Sequence, residues 1–239
     1  MAALFLSDLH LPAEPSPLRE GFLRFLAGPA CDARSVYLLG DIFEYWIGDD
    51  VGLQVYAEEV AALRALTARG VEVRFMHGNR DFLVGRRFAR ATGVALMRDP
   101  TALELDGRRA LLSHGDLWCT DDHAYQRWRR FSRNRLAQAI FARLPRSLRE
   151  RVAGGLRSHS SSEKRYKPEA IMDVNPAAIV QGFRHSGTRL MIHGHTHRPA
   201  DHALSVDGQP AQRIVLADWH PERMEYIVAT TEGLHRLSV

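Results

Sequence analysis

The sequence lacks the long apolar run that a membrane-spanning helix requires, and it contains few cysteines. No apolar stretch approaches the roughly 20 residues needed to cross a bilayer. The N-terminal stretch MAALFLSDLH has no basic region before its short apolar run, which Asp8 interrupts, so we interpret it as a first strand and not as a signal peptide. Cys31 and Cys119 belong to no CxxC pattern, which indicates two reduced thiols. We therefore expect a cytoplasmic chain.

Lysine is also scarce. Of the 32 basic residues, only Lys164 and Lys167 are lysines, and the formal net charge is +4. That balance permits an anionic substrate, nucleic acid or an anionic membrane surface as partner and does not choose among them. The chain has 239 residues, of which 45% are hydrophobic and 25% charged, as in soluble globular proteins. This length suits one domain with an insertion, and we predict a single domain over residues 1–239.

Five strand-like apolar runs each end in a polar cluster. They are ALFL before SDLH, SVYLL before GD, VEVRFM before HGNRD, RALL before SHGD, and RLMI before HGHTH. Helical patterns lie between them over residues 54–69 and 176–184, the second with Asn175 as its cap and Pro176 at its first position. Alternating strands and helices predict an α/β layered fold, in which the carboxyl ends of strands converge on one edge. Three later apolar runs predict antiparallel strands that complete a second sheet.

Residues 117–170 have a different character. The stretch DDHAYQRWRRFSRNRLAQAIFARLP is a helical pattern in which aromatic residues alternate with arginines, and Pro145 ends it. A second short helix is expected around residues 147–157, followed by a polar segment. We interpret the region as a helical lid inserted between two strands of the main fold.

The polar clusters supply three oxygen donors and four imidazoles. A single histidine or aspartate at a strand end is more often a cap, but the joint occurrence favours metal ligation. Seven ligands exceed what one tetrahedral ion accepts and suit two ions that share a bridging carboxylate. Mixed carboxylate, amide and imidazole donors favour Mn²⁺, Fe²⁺ or Zn²⁺, and we prefer two Mn²⁺ per chain. His193, which precedes the turn, is expected to be structural. The seven candidate ligands are Asp8, His10, Asp41, Asn79, His114, His195 and His197.

In order and spacing, these motifs resemble the calcineurin-like metallophosphoesterase signature. The resemblance implies a four-layer αββα sandwich with two mixed sheets between helices. It implies one ion held by Asp8, His10, Asp41 and His197, and a second held by Asp41, Asn79, His114 and His195, with Asp41 bridging. Such a pair would lower the pKa of a shared water and neutralise phosphoryl oxygens, so that no nucleophilic side chain is required. The sequence accordingly contains no G-x-S-x-G motif.

One position departs from that signature. The common motif is Gly-Asn-His-Asp, in which the histidine assists the leaving group, and here Arg80 takes its place. A guanidinium stays charged and cannot act as a general acid near neutral pH, but it can hold a phosphate in a bidentate manner. The exchange therefore favours a leaving group that is itself a phosphate, as in a pyrophosphate bond.

A narrower resemblance covers the chain nearly from end to end. The stretches SDLHL, GDIFEYWIGDD, HGNRDFLVG, KRYKPEAIMDV and HGHTHRP resemble the UDP-2,3-diacylglucosamine pyrophosphohydrolases of lipid A synthesis. This implies hydrolysis of UDP-2,3-diacylglucosamine to UMP and 2,3-diacylglucosamine 1-phosphate (lipid X), with attack on the phosphorus of the UMP side. It also implies peripheral attachment to the cytoplasmic face of a Gram-negative inner membrane and no nucleic-acid partner. The catalytic residues would be Asp41, Asn79 and Arg80. The substrate-binding residues would be Asn79, Arg80, Asp122, Ser160, Lys164, Lys167 and His195.

Some alternatives stay open. The apolar lid residues either line a channel for acyl chains or pack the lid onto the core, and Asp122 either orients a sugar hydroxyl or caps the helix that begins near His123. A second hypothesis is a two-metal nucleotide pyrophosphatase or phosphodiesterase that acts on a soluble substrate. A third is a nucleic-acid-binding or scaffold protein that uses the same fold, although such a protein should have lost ligands.

Overall fold

The computed structural model describes residues 2–105, 107–164 and 173–239, and within 156–164 it describes the backbone alone. The strands are β1 Ala3–Leu6, β2 Ser35–Leu38, β3 Glu72–Met76, β4 Ala95–Met97, β5 Thr101–Leu105, β6 Arg108–Ser113, β7 Leu190–His193, β8 Ala200–Val206, β9 Gln209–Val215, β10 Glu225–Thr230 and β11 Gly233–Ser238. The helices are α1 Pro17–Ala27, α2 Asp49–Val55, α3 Ala57–Ala68, α4 Arg86–Thr92, α5 His123–Ser132, α6 Arg135–Ala142, α7 Arg146–Lys164 and α8 Pro176–Ser186.

These strands form two sheets. The first has the order β11-β10-β1-β2-β3-β4, and the second has the order β5-β6-β7-β9-β8. Strands β1 to β4 run parallel to one another, as do β6, β7 and β9, while the remaining strands pair antiparallel at the edges. The parallel strands at the middle of each sheet therefore direct their carboxyl ends to one edge of the molecule.

The two sheets pack face to face between layers of helices. Phe5 and Tyr37 of the first sheet stack with ring centroids 4.9 Å apart and share one buried cluster with Leu112 and Ile192 of the second sheet. Helices α1, α3 and α4 cover the outer face of the first sheet, and α8 covers the second sheet through a cluster that includes Phe183. Burial of each such side chain contributes about 1.5–3 kcal/mol relative to exposure. The predicted α/β fold with two sheets and flanking helices is confirmed.

Three predicted elements differ from the structure. The helix expected over residues 54–69 is two helices, because the chain turns at Tyr56, whose ring is buried against Phe43 and whose hydroxyl donates to the Leu11 carbonyl at 2.9 Å. The long helix expected in the lid is also divided, since the Asn134 side chain caps a new helix, α6. The short helix expected around 147–157 extends over Arg146–Lys164.

The later strands were expected to complete the second sheet, and this is only partly right. Strands β8 and β9 do so, but β10 pairs antiparallel with β1 in the first sheet. The reason is its apolar content, because Ile227 packs between the two sheets while Tyr226 packs against Phe25 on the outer face. By contrast, α8 begins as predicted, with the Asn175 side chain accepting from the backbone N–H groups of residues 177 and 178.

Helices α5, α6 and α7, which follow β6 along the chain, occupy the region that we predict to be a lid, and we keep that name for these helices. Its side chains include apolar groups that do not pack on the core, since Phe131, Leu136 and Ile140 are more than half exposed. Cys31 and Cys119 are free thiols, as expected. Among the described residues, no helix combines the length and the apolar character that crossing a bilayer demands.

Candidate functional site

The loops at the carboxyl ends of five strands meet at one place. Asp8 follows β1, Asp41 follows β2, and Asn79 follows β3, while His114 follows β6 and His195 follows β7. Adjacent loops are tied by backbone hydrogen bonds: Asp8 donates to the Gly40 carbonyl at 3.0 Å, and Gly194 donates to the His114 carbonyl at 2.8 Å. The structure thus brings together polar side chains that lie nearly two hundred residues apart in the sequence.

The backbone of these loops adopts an unusual conformation. Five candidate ligands have positive φ angles: Asp8 55°, His10 48°, Asp41 53°, His195 73° and His197 54°. Within the described part of the chain, only one further non-glycine residue, Asp207, shares this property. A left-handed conformation at a non-glycine residue is unfavourable by about 1–3 kcal/mol and is concentrated at functional sites, where surrounding structure holds it. The tight turns aim these side chains into the cluster.

Glycines allow the loops to approach one another. A Cβ atom on Gly40, whose φ is +89°, would lie 2.6 Å from the backbone nitrogen of Gly78 and 2.7 Å from Nδ1 of His114. A Cβ atom on Gly194 would overlap the side chains of Ser7 and Asp8. Any larger residue at either position would push the loops apart.

The side chains form two overlapping groups in which potential metal-binding atoms lie within 4.8 Å of one another. The first contains Asp8, His10 and His197, with Oδ1 of Asp8 3.4 Å from Nε2 of His197 and the two imidazole Nε2 atoms 3.3 Å apart. The second contains Asp8, Asp41 and His114, with Oδ1 of Asp41 3.8 Å from Nε2 of His114. Asp8 belongs to both groups, whereas the sequence resemblance assigns it to one.

Two further candidates lie beside the second group. The Asn79 side-chain oxygen is 3.1 Å from Nε2 of His114. The ring of His195 packs against that of His114, with centroids 5.0 Å apart, although none of its atoms is part of either group among the described residues. His193 points elsewhere, because its ring nitrogens contact the Gly194 carbonyl and the Arg213 guanidinium, as expected for a structural histidine.

The cluster fits a divalent cation. Asp8 is 1% exposed, and its Oδ1 atom is buried without a hydrogen-bond partner, while its Oδ2 atom accepts from Ser7 Oγ at 2.6 Å and from the His195 backbone at 2.8 Å. A buried carboxylate oxygen without a partner is unfavourable unless it is paired with a positive charge. Carboxylate, amide and imidazole donors together suit Mn²⁺, Fe²⁺ or Zn²⁺.

The electrostatics agree with this need for positive charge. Burial alone would raise the pKa of Asp8, but the nearby imidazole of His197, with the charges of His114 and His10, holds this pKa well below its usual range. For His114, burial opposes protonation, but Asp41 and Asp8 raise the pKa to about 9. Burial and the neighbouring His114 lower the pKa of His195 to about 4.

Groups outside the cluster orient the imidazoles. Nδ1 of His10 is 3.2 Å from Oε2 of Glu44, and Nδ1 of His197 is 3.7 Å from Oδ2 of Asp218. Nδ1 of His114 is 2.9 Å from the Leu39 carbonyl. Such partners fix the ring orientation and leave Nε2 to face a cation. Our sequence reasoning missed both carboxylates: Glu44 stands three residues after Asp41 in the stretch GDIFEYWIGDD, and Asp218 stands outside the motifs that supply the ligands.

Asp81 was also missed as a contributor, although it stands in the HGNRD motif. It is fully buried, and its carboxylate accepts from the backbone nitrogens of Gly78 and Ile42, each at 2.8 Å. Burial and the nearby Asp41 raise its pKa to about 6. The carboxylate ties the loop after β2 to the loop after β3, so it holds Asp41 and Asn79 in register.

Of the candidate substrate contacts outside the cluster, the structure describes the side chains of Arg80 and Asp122. Arg80 donates its backbone N–H to Asp41 Oδ1 at 2.7 Å, and its guanidinium lies 3.9 Å from Glu44. The Asp122 side chain accepts from the backbone N–H of Tyr125 at 3.0 Å and so caps α5. Of the two roles predicted for Asp122, helix cap and sugar contact, the structure therefore has the cap. The side chains of Ser160 and Lys164, and all of Lys167, lie outside the described residues.

Sequence comparisons find relatives over most of the chain. It is 47% identical over 222 residues to the UDP-2,3-diacylglucosamine hydrolase of Proteus mirabilis, which covers 93% of this chain and 92% of that protein. It is 48% identical over 219 residues to the protein of the same name from Aeromonas hydrophila, with 92% and 91% covered. For that from Escherichia coli the identity is 47% over 222 residues, with 93% and 92% covered. No family model matches the sequence.

Solved structures with a similar fold are more distant in sequence. YfcE, a phosphoesterase from Escherichia coli, is 16% identical with a TM-score of 0.49, and the match covers 100% of both chains. Vps29 from Entamoeba histolytica, complexed with Zn²⁺, is 13% identical with a TM-score of 0.49, and the match covers 100% of this chain and 99% of that one.

Proposed function

The chain belongs to the UDP-2,3-diacylglucosamine hydrolase family, and from this premise we propose that it hydrolyses the pyrophosphate bond of UDP-2,3-diacylglucosamine to UMP and 2,3-diacylglucosamine 1-phosphate (lipid X). The observation that carries the proposed chemistry is the group of aspartates and histidines around the unpartnered Asp8 oxygen. The near-complete coverage of the relatives supports the choice of substrate.

We propose that the cluster holds two Mn²⁺ ions. When bound, such a pair supplies a lowered pKa for water and positive charge for the phosphoryl oxygens. The first ion would be held by Asp8, His10, Asp41 and His197. The second would be held by Asp41, Asn79, His114 and His195. The donor types and the short distances among them support this assignment, and Asp41 in the bridging position would be required by both ions.

Arg80 and Asn79 would act on the substrate itself. The Arg80 guanidinium is 16% exposed beside the cluster and is held near Glu44, so it can reach a phosphate of the substrate. Because a guanidinium stays charged, Arg80 would stabilise the departing phosphate of lipid X and would not protonate it. The Asn79 amide would orient the attacked phosphoryl group, and water would attack the phosphorus on the UMP side.

The lid would receive the acyl chains. Phe131, Leu136 and Ile140 are exposed apolar side chains on α5 and α6, and packing of the lid onto the core does not account for them. Large exposed apolar groups on adjacent helices mark a site for a partner. Ser160, Lys164, Lys167 and His195 would contact the sugar and phosphate of the substrate, while Asp122 is used as the cap of α5.

We further propose peripheral attachment to the cytoplasmic face of the inner membrane. Helices α5 and α6, which carry the exposed apolar side chains, also carry the exposed arginines Arg127 and Arg135. Apolar contact and attraction of cationic groups to anionic lipid act together in peripheral binding. Flotation with vesicles containing anionic lipid checks this proposal, and the protein should stay with the vesicles at low salt and leave them at high salt.

The test of the proposed reaction is a hydrolysis assay with UDP-2,3-diacylglucosamine and Mn²⁺ in ¹⁸O-labelled water. The label should enter UMP and not lipid X. We expect near-complete loss of activity in Asp41→Ala, because both ions lose a ligand, and a loss on the order of 100-fold or more in Arg80→Ala. The exposed residues Asp32 and Arg90 provide matched alanine controls that should keep full activity.

A soluble substrate is the alternative. A two-metal nucleotide pyrophosphatase would hydrolyse UDP-N-acetylglucosamine as fast as the diacylated compound. Equal rates on the two compounds would support that alternative. Full activity of Asp41→Ala would contradict the bridging role.

A further inference from the structure

Helix α5 presents a line of three polar side chains to the candidate site. Tyr125, Arg129 and Arg133 are spaced by four residues, so they lie on one side of the helix and of its C-terminal cap. All three meet Asp116, which is fully buried. The Tyr125 hydroxyl donates to Asp116 Oδ2 at 2.7 Å, Nε of Arg129 is 3.0 Å from that oxygen, and Nη2 of Arg133 is 3.5 Å from it.

Arg129 also reaches the loop that carries His114. Its Nη2 atom donates to Oδ2 of Asp99 at 2.8 Å. The other oxygen of Asp99 accepts from Ser113 Oγ at 2.7 Å and from the His114 backbone N–H at 3.2 Å. The guanidinium, which is 14% exposed, therefore lies between two buried carboxylates, one of which holds the backbone of His114.

Arg133 and Tyr125 reach the two other loops. Nη2 of Arg133 donates to the carbonyls of His77 and Gly78 at 3.2 and 3.1 Å, directly before Asn79. The ring of Tyr125 stacks on that of His195, with centroids 5.9 Å apart and planes 29° apart. Asn79, His114 and His195 are the ligands that we assign to the second cation and not to the first. The side chains of α5 and its C-terminal cap thus contact or support the loop of each of them.

The ligands of the first cation have different supports. Asp8 is held by Ser7 and the His195 backbone, His10 by Glu44, and His197 by Asp218. The three side chains that provide these supports follow β1, β2 and β9 and lie outside the lid. Displacement of α5 would leave these three side chains in place, and the His195 backbone is the one support of the first site that belongs to a loop contacted by α5.

We propose that Tyr125, Arg129 and Arg133 are positioning residues that make the second cation site depend on the docking of lid helix α5. The buried carboxylates of Asp116 and Asp99 need the guanidinium groups of α5, because an unpaired buried charge is strongly unfavourable. Since binding linkage is reciprocal, cation binding at the second site in turn favours the docked helix. This inference rests on the proposed two-cation function.

The experiment measures Mn²⁺ binding to the metal-depleted full-length chain by electron paramagnetic resonance of free Mn²⁺. Arg133→Gln is the main variant, because Arg129 still pairs with Asp116 and the chain should fold. Arg129→Lys is the second variant, since an ammonium group cannot span both carboxylates. Arg130→Gln on the same helix is the control, because Arg130 is exposed. Thermal unfolding is recorded for every variant.

We expect two Mn²⁺ ions per chain in the wild type and in Arg130→Gln. In Arg133→Gln and Arg129→Lys, the first ion should keep its dissociation constant, and that of the second should rise by about 10- to 100-fold. Unchanged binding of both ions in the two variants would overturn the inference and leave the proposed function intact. Equal weakening of both ions would also overturn it, because that result indicates a general structural role. Fewer than two ions in the wild type would refute the two-cation proposal itself.

Discussion

Replacement of Arg149 should release one end of the lid without affecting the core. Arg149 lies in α7 and is 4% exposed, and it joins the lid to Ile47, which precedes α2, and to Asp50 in the first turn of α2. Its Nη1 atom donates to the Ile47 carbonyl at 2.6 Å and to Asp50 at 2.8 Å, and its Nε atom donates to the Leu144 carbonyl at 3.1 Å. We choose Arg149→Met, which keeps most of the aliphatic volume and removes the charge and the donors.

The size of the effect follows from these contacts. A hydrogen bond from a charged group contributes about 1.5–3 kcal/mol, and Arg149 makes two to backbone carbonyls. The ion pair with Asp50 adds little, since Asp50 is 48% exposed and an exposed pair contributes about 0.2–1 kcal/mol. Allowing for water that reaches the freed carbonyls, we expect a loss of about 3 kcal/mol in the local stability of α7. That loss corresponds to about 100-fold more frequent opening, at 1.36 kcal/mol for each factor of ten.

Hydrogen exchange measured by mass spectrometry reads this opening. Backbone amides of residues 150–155 should exchange about 100-fold faster in Arg149→Met, with the rate of an unprotected amide as the upper limit. Amides of β1 and β2 should keep their exchange rates. Arg146→Met on the same helix is the control, because its ion pair with Glu150 is about half exposed on both sides. Unchanged exchange in α7, or equal acceleration in β1 and β2, would refute this account of the lid.

Two other substitutions separate the site from the fold. Gly78→Ala should leave the chain folded but lower the hydrolysis rate by about 100-fold, because the added methyl group overlaps Asp41 and displaces it. Gly154→Ala is the control, because a methyl group at that position on α7 meets no other atom within 4 Å. An unaltered rate in Gly78→Ala would argue against close packing of these loops. Glu59→Ala should lower the free energy of unfolding by about 3–5 kcal/mol, because it leaves Arg19, which is 8% exposed, without its carboxylate partner. Urea denaturation measures the loss, and an effect no larger than that of the exposed neighbour in Glu58→Ala would contradict this reasoning.

Much of the layered fold could be predicted from the sequence, because strands that are buried on both faces read as continuous apolar runs. The run SVYL corresponds to β2 and the run LMI lies within β7, and a glycine-containing polar cluster follows each. Once those strands are parallel, their carboxyl ends must share an edge, so the meeting of Asp8, Asp41 and His114 follows from the fold class.

Other features depend on partners that are distant in the chain. The turn at Tyr56 exists because its ring fits beside Phe43, and a helical period cannot reveal that contact. The alternation of arginines and aromatic residues in the lid does not distinguish Arg129, which is paired with buried carboxylates, from its exposed neighbour Arg130. The positive φ angles of five candidate ligands have no signature in the sequence, since aspartate and histidine adopt either sign of φ.

The most direct measurement of the central claim is an anomalous difference map from crystals grown with Mn²⁺. The account predicts two peaks on either side of the Asp41 carboxylate, about 3.5–4 Å apart, within bonding distance of the candidate ligands. A well-ordered cluster with no peak, or with a single peak that Asp41 does not touch, would contradict it.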